Sequence, residues 1–184
     1  MNIKTYQQKL IPLVFLALML CQLAVKAQRG RTHWAADGYQ YYRADNSGIV
    51  ELDTRDATKK TVIVSTEMLT PKGKSPLKAA NFYLSEDGQK VLIFTNTQRV
   101  WRYNTRGDYW VYDLAEKTLK QLGTARPESS LMFAKLSPDG TKAAYVSEHN
   151  IYTEDLATGA VKQLTTDGSQ TRINGTFEIG RAHF

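Results

Sequence analysis

The sequence has little of what builds a catalytic or metal centre. Its 184 residues include one cysteine, Cys21, and three histidines: His33, His149 and His183. A single thiol excludes an intrachain disulfide framework and a zinc site made of several thiolates. No Gly-x-Ser-x-Gly stretch, the usual setting of a nucleophilic serine in α/β-hydrolases, occurs in the chain, and no motif marks a histidine as a base. We therefore expect no catalytic residue, no metal ligand and no cofactor in this chain.

An apolar run long enough to cross a bilayer is also missing. The apolar stretch Leu10–Leu20 is shorter than the roughly 20 residues that a transmembrane helix needs. It follows two lysines and precedes the small residue Ala27, which is the arrangement of a secretory signal peptide. We predict a signal peptide in residues 1–27 with cleavage after Ala27, and hence an exported protein, periplasmic or secreted. A membrane anchor formed by residues 10–25 is the alternative.

Positive charge is modest. The chain has 24 basic and 18 acidic residues and a formal net charge of +6, which falls to +3 when the signal peptide removes Lys4, Lys9 and Lys26. Binding of nucleic acid requires a clustered basic face, which a charge this small does not indicate. We therefore expect no nucleic-acid partner.

The chain contains a repeat. Asp-Gly occurs in three similar segments, AADGYQYYR, SEDGQKVLIF and SPDGTKAAYV, whose aspartates are 50 and 52 residues apart: Asp37, Asp87 and Asp139. Each Asp-Gly precedes a β-branched or aromatic run, the pattern of a tight turn that leads into a strand. A second aspartate follows in each unit, before a polar turn and a return to apolar residues: Asp53, Asp113 and Asp155. Each unit is therefore predicted to consist of short strands joined by turns.

The length of the repeat indicates an architecture. A period of about 40 to 50 residues with about four short antiparallel strands is typical of a β-propeller blade. Three units are present, whereas a closed ring has about four to eight blades. We predict an all-β fold, a partial β-propeller of about three four-stranded antiparallel blades from a larger ring. A β-sandwich with accidental internal similarity is the alternative.

The middle unit is longer than the other two. Its second aspartate follows the first by 26 residues, compared with 16 residues in both other units. The ten extra residues fall in NTQRVWRYNTRGD, residues 96–108, between a strand that ends near Thr95 and a strand at Tyr109–Tyr112. Most of this segment belongs to QRVWRYNTRGDYWVYDL, Gln98–Leu114, which has five aromatic residues and three arginines. Insertions in repeat proteins form loops or extended hairpins on one face, often the binding face. Two interpretations stay open: a solvated hairpin, or an arginine whose planar fork of donors binds a carbonyl or carboxylate.

Four segments resemble the N-terminal propeller of dipeptidyl peptidase IV, in the prolyl oligopeptidase group of serine peptidases. They are YYRADNSGIVELDTRDAT, LSEDGQKVLIFTNTQRVWRYNTRGDYWVYDL, LSPDGTKAAYVSEHNIYTEDLATG and QLTTDGSQTRINGTF. The Trp-Arg pair in a blade insertion, before a tyrosine-rich strand ending in Tyr-Asp-Leu, is the most specific part. In that family this arginine reaches the cavity between propeller and catalytic domain and binds a backbone carbonyl of the substrate. The resemblance implies that role for Arg102, with Trp101 and Trp110 as packing that supports the hairpin.

The rest of the family's machinery is not in this sequence. The resemblance implies a catalytic triad in a C-terminal α/β-hydrolase domain, and a pair of substrate-binding glutamates after the segment matched by INGTF; the sequence contains neither. Residues 28–177 are therefore predicted to be a partial dipeptidyl peptidase IV-type β-propeller. Residues 178–184 follow none of the family's pattern, and we expect them to be a non-family tail, an artefact of sequence assembly.

Two functions are compatible with the sequence. In the first, the chain is a fragment of the substrate-gating propeller of an exported serine dipeptidyl aminopeptidase that removes X-Pro or X-Ala dipeptides from peptide N-termini. Its partners are then a peptide with a free N-terminus and the missing C-terminal hydrolase domain, with a homodimer of the parent as a further option, and the fragment alone is inactive. In the second, a non-enzymatic periplasmic propeller acts as a TolB-like binding scaffold. The ten-residue insertion favours the first, because a scaffold has no evident need for it.

Overall fold

The computed structural model describes residues 32–100 and 102–176, which form β-strands and turns without a helix. The strands are β1 (His33–Trp34), β2 (Gln40–Asp45), β3 (Gly48–Asp53), β4 (Asp56–Ser65), β5 (Asn81–Leu84), β6 (Lys90–Val100), β7 (Tyr103–Asp113), β8 (Thr118–Gln121), β9 (Leu131–Leu136), β10 (Lys142–Ser147), β11 (Asn150–Asp155) and β12 (Val161–Gln163). The predicted signal peptide with its cleavage site at Ala27, the residue Trp101 and the tail 178–184 lie outside the described residues.

The strands build three units of four, and the strand pairs are antiparallel. The first unit is a separate sheet in the order β1-β2-β3-β4. The second unit (β5 to β8) and the third (β9 to β12) share one eight-stranded sheet, because β7 also pairs with β9. Within each unit the strands lie side by side in chain order, as in a propeller blade. The prediction of an all-β fold with three four-stranded propeller blades is confirmed.

Asp-Gly turns join the first strand to the second in all three units, as the repeat predicts. The glycines of these turns adopt the left-handed backbone conformation, which residues other than glycine rarely adopt. Their φ angles are 71° for Gly38, 68° for Gly88 and 65° for Gly140. In the third unit, Asp139 accepts hydrogen bonds from the Ser137 hydroxyl and from the Thr141 backbone N–H and hydroxyl. These donors stabilise the carboxylate and lower the pKa of Asp139 to about 2.

The middle unit is covered on both faces. Strands β6 and β7 direct alternate side chains to opposite sides, as strand geometry requires. One set packs against Ile49 and Val64 of the first unit: Val91, Ile93, Trp110 and Tyr112. The other set packs against Leu131 and Tyr145 of the third unit: Leu92, Phe94, Tyr109 and Val111. The units therefore stack face to face, and this explains why β6 contains the continuous apolar run VLIF instead of an alternating pattern.

The two outer units expose several apolar side chains. Trp34 and Val62 of the first unit are 61% and 46% exposed, and Val161 and Leu164 at the far end of the third unit are 49% and 50% exposed. Val161 lies on β12, an edge strand whose free backbone groups can pair with another chain. We expect the chain alone to self-associate, with an apparent mass that rises with concentration in size-exclusion chromatography.

The edge strand β12 provides the control for this expectation. A double variant, Val161→Lys with Leu164→Lys, places charge on that edge and should weaken the association, because lysine on an edge strand opposes pairing. A monomer of unchanged elution volume across the whole concentration series, for the unmodified chain, would contradict it.

Candidate functional site

The insertion in the middle unit forms the outer part of a long hairpin. Strands β6 and β7 have 11 residues each, whereas the corresponding strands of the other two units have 6 each. The last pair of the ladder joins Val100 to Tyr103, so that Arg102, which directly precedes Tyr103, lies at the hairpin tip. Arg102 is exposed at this tip.

The hairpin tip and the Asp-Gly turn lie at opposite ends of the strands of the blade. At the other end of the ladder Lys90 pairs with Asp113, and the Lys90 ammonium lies 3.1 Å from the Asp113 carboxylate. The second aspartate and the Asp-Gly turn are therefore neighbours at that end. From Thr95, where the hairpins of the other units end, to Val100 the strand extends by about 17 Å at 3.3 Å per residue.

The extended hairpin bends onto the third unit. Its ladder shifts register between Thr95 and Gln98, and Arg106 and Gly107 of β7 pair with Met132 and Leu131 at the start of β9. Such bulges bend the strands and increase their twist. Within the hairpin the two strands approach closely at Gly107, because an added Cβ would lie 2.6 Å from the Phe94 ring and 2.6 Å from the Thr95 carbonyl oxygen, both on β6.

A buried carboxylate lies at the base of this extension. Asp108 is 8% exposed, and its two oxygens accept hydrogen bonds of 2.8 Å each from the Ser129 backbone N–H and the Asn96 side-chain amide. The Asn96 amide also donates to Glu128, at 2.9 Å. We call these four side chains the Asp108 cluster: Asn96, Asp108, Glu128 and Ser129. Sequence analysis missed it, and the one available signal was a lone acid directly before the apolar run of β7.

The other residues predicted for the site lie at different depths. Trp110 is 8% exposed and packs in the core between the first and second units, so that it supports the base of β7 from the side away from the third unit. The Lys74 ammonium lies 5.6 Å from the centre of its ring. Arg99 and Arg106 are exposed on the two strands of the extension. The structure thus places all three arginines of the insertion on the hairpin, with Arg102 alone at the tip.

A cleft lies between the extension and the first strands of the second and third units. It has a volume of about 570 Å³, and its wall includes Thr97, Tyr103 and Asn104 of the hairpin with Tyr83 and Phe133 of the two first strands. The three aromatic side chains are between 40% and 67% exposed. Ring faces, hydroxyls and amides of this kind can bind an extended peptide.

Within residues 32–100 and 102–176, no three histidine, cysteine, aspartate or glutamate side chains come together in a way that could bind a metal ion. The same residues include no helix of the length and apolar character needed to span a membrane.

Three four-stranded blades stacked face to face, with one enlarged hairpin on the face away from the Asp-Gly turns, define this protein as part of a β-propeller. Residues 85–178 match the family described as the dipeptidyl peptidase IV (DPP IV) N-terminal region. The match covers half of the chain, and the chain belongs to this family. The resemblance found in the sequence is confirmed.

Individual relatives agree with the family. The chain is 27% identical over 135 residues to the protein named "Probable dipeptidyl-aminopeptidase B" of Aspergillus oryzae, with 73% of this chain and 15% of the relative covered. It is 29% identical over 129 residues to the protein of the same name from Tuber melanosporum, with 67% of this chain and 14% of the relative covered. The chain thus spans about one seventh of the length of these relatives.

A solved structure has the same fold. Dipeptidyl peptidase 4 of Porphyromonas gingivalis superposes with a TM-score of 0.61 at 24% sequence identity, over 76% of this chain and 19% of that one. At this identity the likeness concerns the fold, and it agrees with the assignment of the three units as propeller blades.

Proposed function

We propose that this chain is part of the substrate-gating propeller of an exported serine dipeptidyl aminopeptidase, which removes X-Pro or X-Ala dipeptides from peptide N-termini. The catalytic triad is then supplied by an α/β-hydrolase domain encoded beyond this chain. Membership of the family and the names of the relatives support the reaction class. The export rests on the pattern of residues 1–27.

The observation that carries the proposal is the position of Arg102 at the tip of a hairpin extension that the other two blades lack. An arginine is charged at every physiological pH and presents several N–H donors in one plane, so that it binds a peptide carbonyl in a fixed direction. In this proposal Arg102 binds a backbone carbonyl of the substrate and orients the peptide for attack by a serine of the other domain. Orientation of this kind accelerates a reaction without any chemistry at the arginine itself.

The cleft beside the hairpin supports a peptide as the ligand. Tyr83, Tyr103 and Phe133 offer partly exposed rings, and Asn104 and Thr97 offer polar groups that can bind peptide backbone. Burial raises the pKa of Tyr109, which also lies in the wall of the cleft, to about 12. The partly exposed rings and the neutral polar groups of the wall suit an extended peptide main chain.

The test is release of dipeptides by the complete enzyme, meaning this chain together with the coding sequence that follows it. We expect the complete enzyme to release alanyl-proline from an alanyl-prolyl amide and to leave the same substrate intact when its N-terminus is acetylated. The chain alone should release nothing, because it contains no Gly-x-Ser-x-Gly nucleophile. A complete protein that lacks peptidase activity and instead retains a stable protein partner would contradict the proposal and favour the scaffold.

A further inference from the structure

We propose that the Asp108 cluster positions Arg102, and that Asn96, Asp108 and Ser129 are positioning residues for substrate binding. The inference rests on the proposed function, since it concerns how the hairpin presents Arg102 to the substrate. The three residues come from two blades. Asn96 and Asp108 belong to the hairpin of the second blade, whereas Ser129 precedes the first strand of the third blade.

The first step concerns the buried charge. Asp108 is 8% exposed, and each of its oxygens accepts one hydrogen bond, Oδ1 from the Ser129 N–H and Oδ2 from Asn96 Nδ2. A buried carboxylate is costly unless such donors satisfy it. A different direction of the hairpin would separate Asp108 from the Ser129 N–H of the next blade, so the buried charge favours the direction in which this donor and Asn96 are both present.

The second step concerns the backbone on both sides. The Ser129 hydroxyl donates to the Asn96 carbonyl oxygen at 2.8 Å, which closes a ring of hydrogen bonds between hairpin and neighbouring blade. Asn96 and Ser129 have φ of 48° and 54°, in the left-handed region that residues other than glycine rarely adopt. Backbone in this region persists where surrounding contacts determine it, as they do in this ring.

The third step concerns the distance between the Asp108 cluster and the hairpin tip. The cluster lies where the ladder shifts register, at the start of the extension, and the residues of the extension beyond it are largely exposed. With 3.3 Å per residue, the tip is about 17 Å from this base, so a rotation of about 5° there displaces Arg102 by about 1.5 Å. A misplacement of about 1 Å at a binding group can reduce the rate by about a hundredfold. Small changes in the cluster should therefore affect substrate binding at the tip.

The experiment uses the Asn96→Asp variant of the complete enzyme. Aspartate has the same size as asparagine and tolerates the left-handed backbone, but it replaces the two amide donors by a carboxylate that faces Asp108 and Glu128. We expect kcat/KM on an alanyl-prolyl substrate to fall about tenfold or more. Gln98→Glu is the matched control, because it adds the same charge to an exposed position on the same strand, and it should change kcat/KM by less than about twofold.

The readout that separates positioning from general damage is a double-mutant cycle with Arg102→Ala. If the cluster acts through Arg102, Asn96→Asp has little further effect on kcat/KM once Arg102 is alanine, within about twofold. Losses that multiply in the double variant would overturn the inference, as would an unchanged kcat/KM in Asn96→Asp.

A second variant covers the case in which Asn96→Asp does not fold. Asn96→Gly keeps the left-handed backbone accessible and removes both donors without adding charge. It should also lower kcat/KM, and this loss should also disappear in the Arg102→Ala background. If Arg102→Ala itself has no effect, the proposed function and this inference both fail; if Arg102→Ala lowers kcat/KM while both Asn96 variants behave as the unmodified enzyme, the inference alone fails.

Discussion

Replacing Trp110 by alanine should lower the free energy of unfolding of the chain by about 3–5 kcal/mol, the usual loss when a buried aromatic side chain is removed. Trp110 is 8% exposed and packs in the core that joins the first and second blades, with Ile49 and Val64 on the opposite side. The neighbouring sheets cannot close the resulting cavity without losing their own contacts, because cores are close-packed. The loss should appear as a lower urea midpoint with an unchanged slope, measured by far-UV circular dichroism.

The matched control is Trp34→Ala. Trp34 is 61% exposed and its ring lies 5.5 Å from that of Tyr41, so its removal should change the free energy of unfolding by about 0.5 kcal/mol or less. Both measurements need protein concentrations below those at which the chain self-associates. If Trp110→Ala lowered the free energy of unfolding no more than Trp34→Ala does, Trp110 would not lie in a core shared by the two blades.

Replacing Arg102 by alanine should lower kcat/KM of the complete enzyme by about ten- to a hundredfold. A hydrogen bond from a charged donor to a peptide carbonyl contributes about 1.5–3 kcal/mol, and each 1.4 kcal/mol corresponds to about a factor of ten in rate. Arg102→Lys should not restore activity, because an ammonium group is a point charge without the planar fork of donors. The free energy of unfolding should change by about 0.5 kcal/mol or less, the usual range for an exposed side chain.

Much of the fold could be predicted because its signals are local. Asp-Gly with φ near 70° at the glycine is a property of a few consecutive residues, and its recurrence revealed the three units. The spacing of 26 residues between Asp87 and Asp113, ten more than the corresponding spacing in the other two units, located the extended hairpin, because an insertion between two paired strands has to lengthen both or form a loop between them.

The Asp108 cluster could not be predicted because its contacts are distant in sequence. Asp108 accepts a hydrogen bond from Ser129, 21 residues away in the sequence, and Asn96 donates one to Glu128, 32 residues away. Both hydrogen bonds exist only because the hairpin bends onto the next blade. The need for glycine at position 107 was equally hidden, because it follows from the proximity of the Phe94 ring on the paired strand and not from any turn motif. Alternation along β7 predicts that Trp110 and Tyr109 face opposite sides, but not which blade each one contacts.

The roles of Arg102 and its neighbours stay predictions, and one kinetic comparison tests them most directly. Arg99→Ala, Arg102→Ala and Arg106→Ala remove the same side chain from three exposed positions of one hairpin, so that two of the variants are controls for the third. On an alanyl-prolyl substrate, we expect kcat/KM to fall about ten- to a hundredfold for Arg102→Ala and by less than about threefold for the other two. Equal, small effects at all three positions would show that the hairpin is solvated and that Arg102 does not bind the substrate.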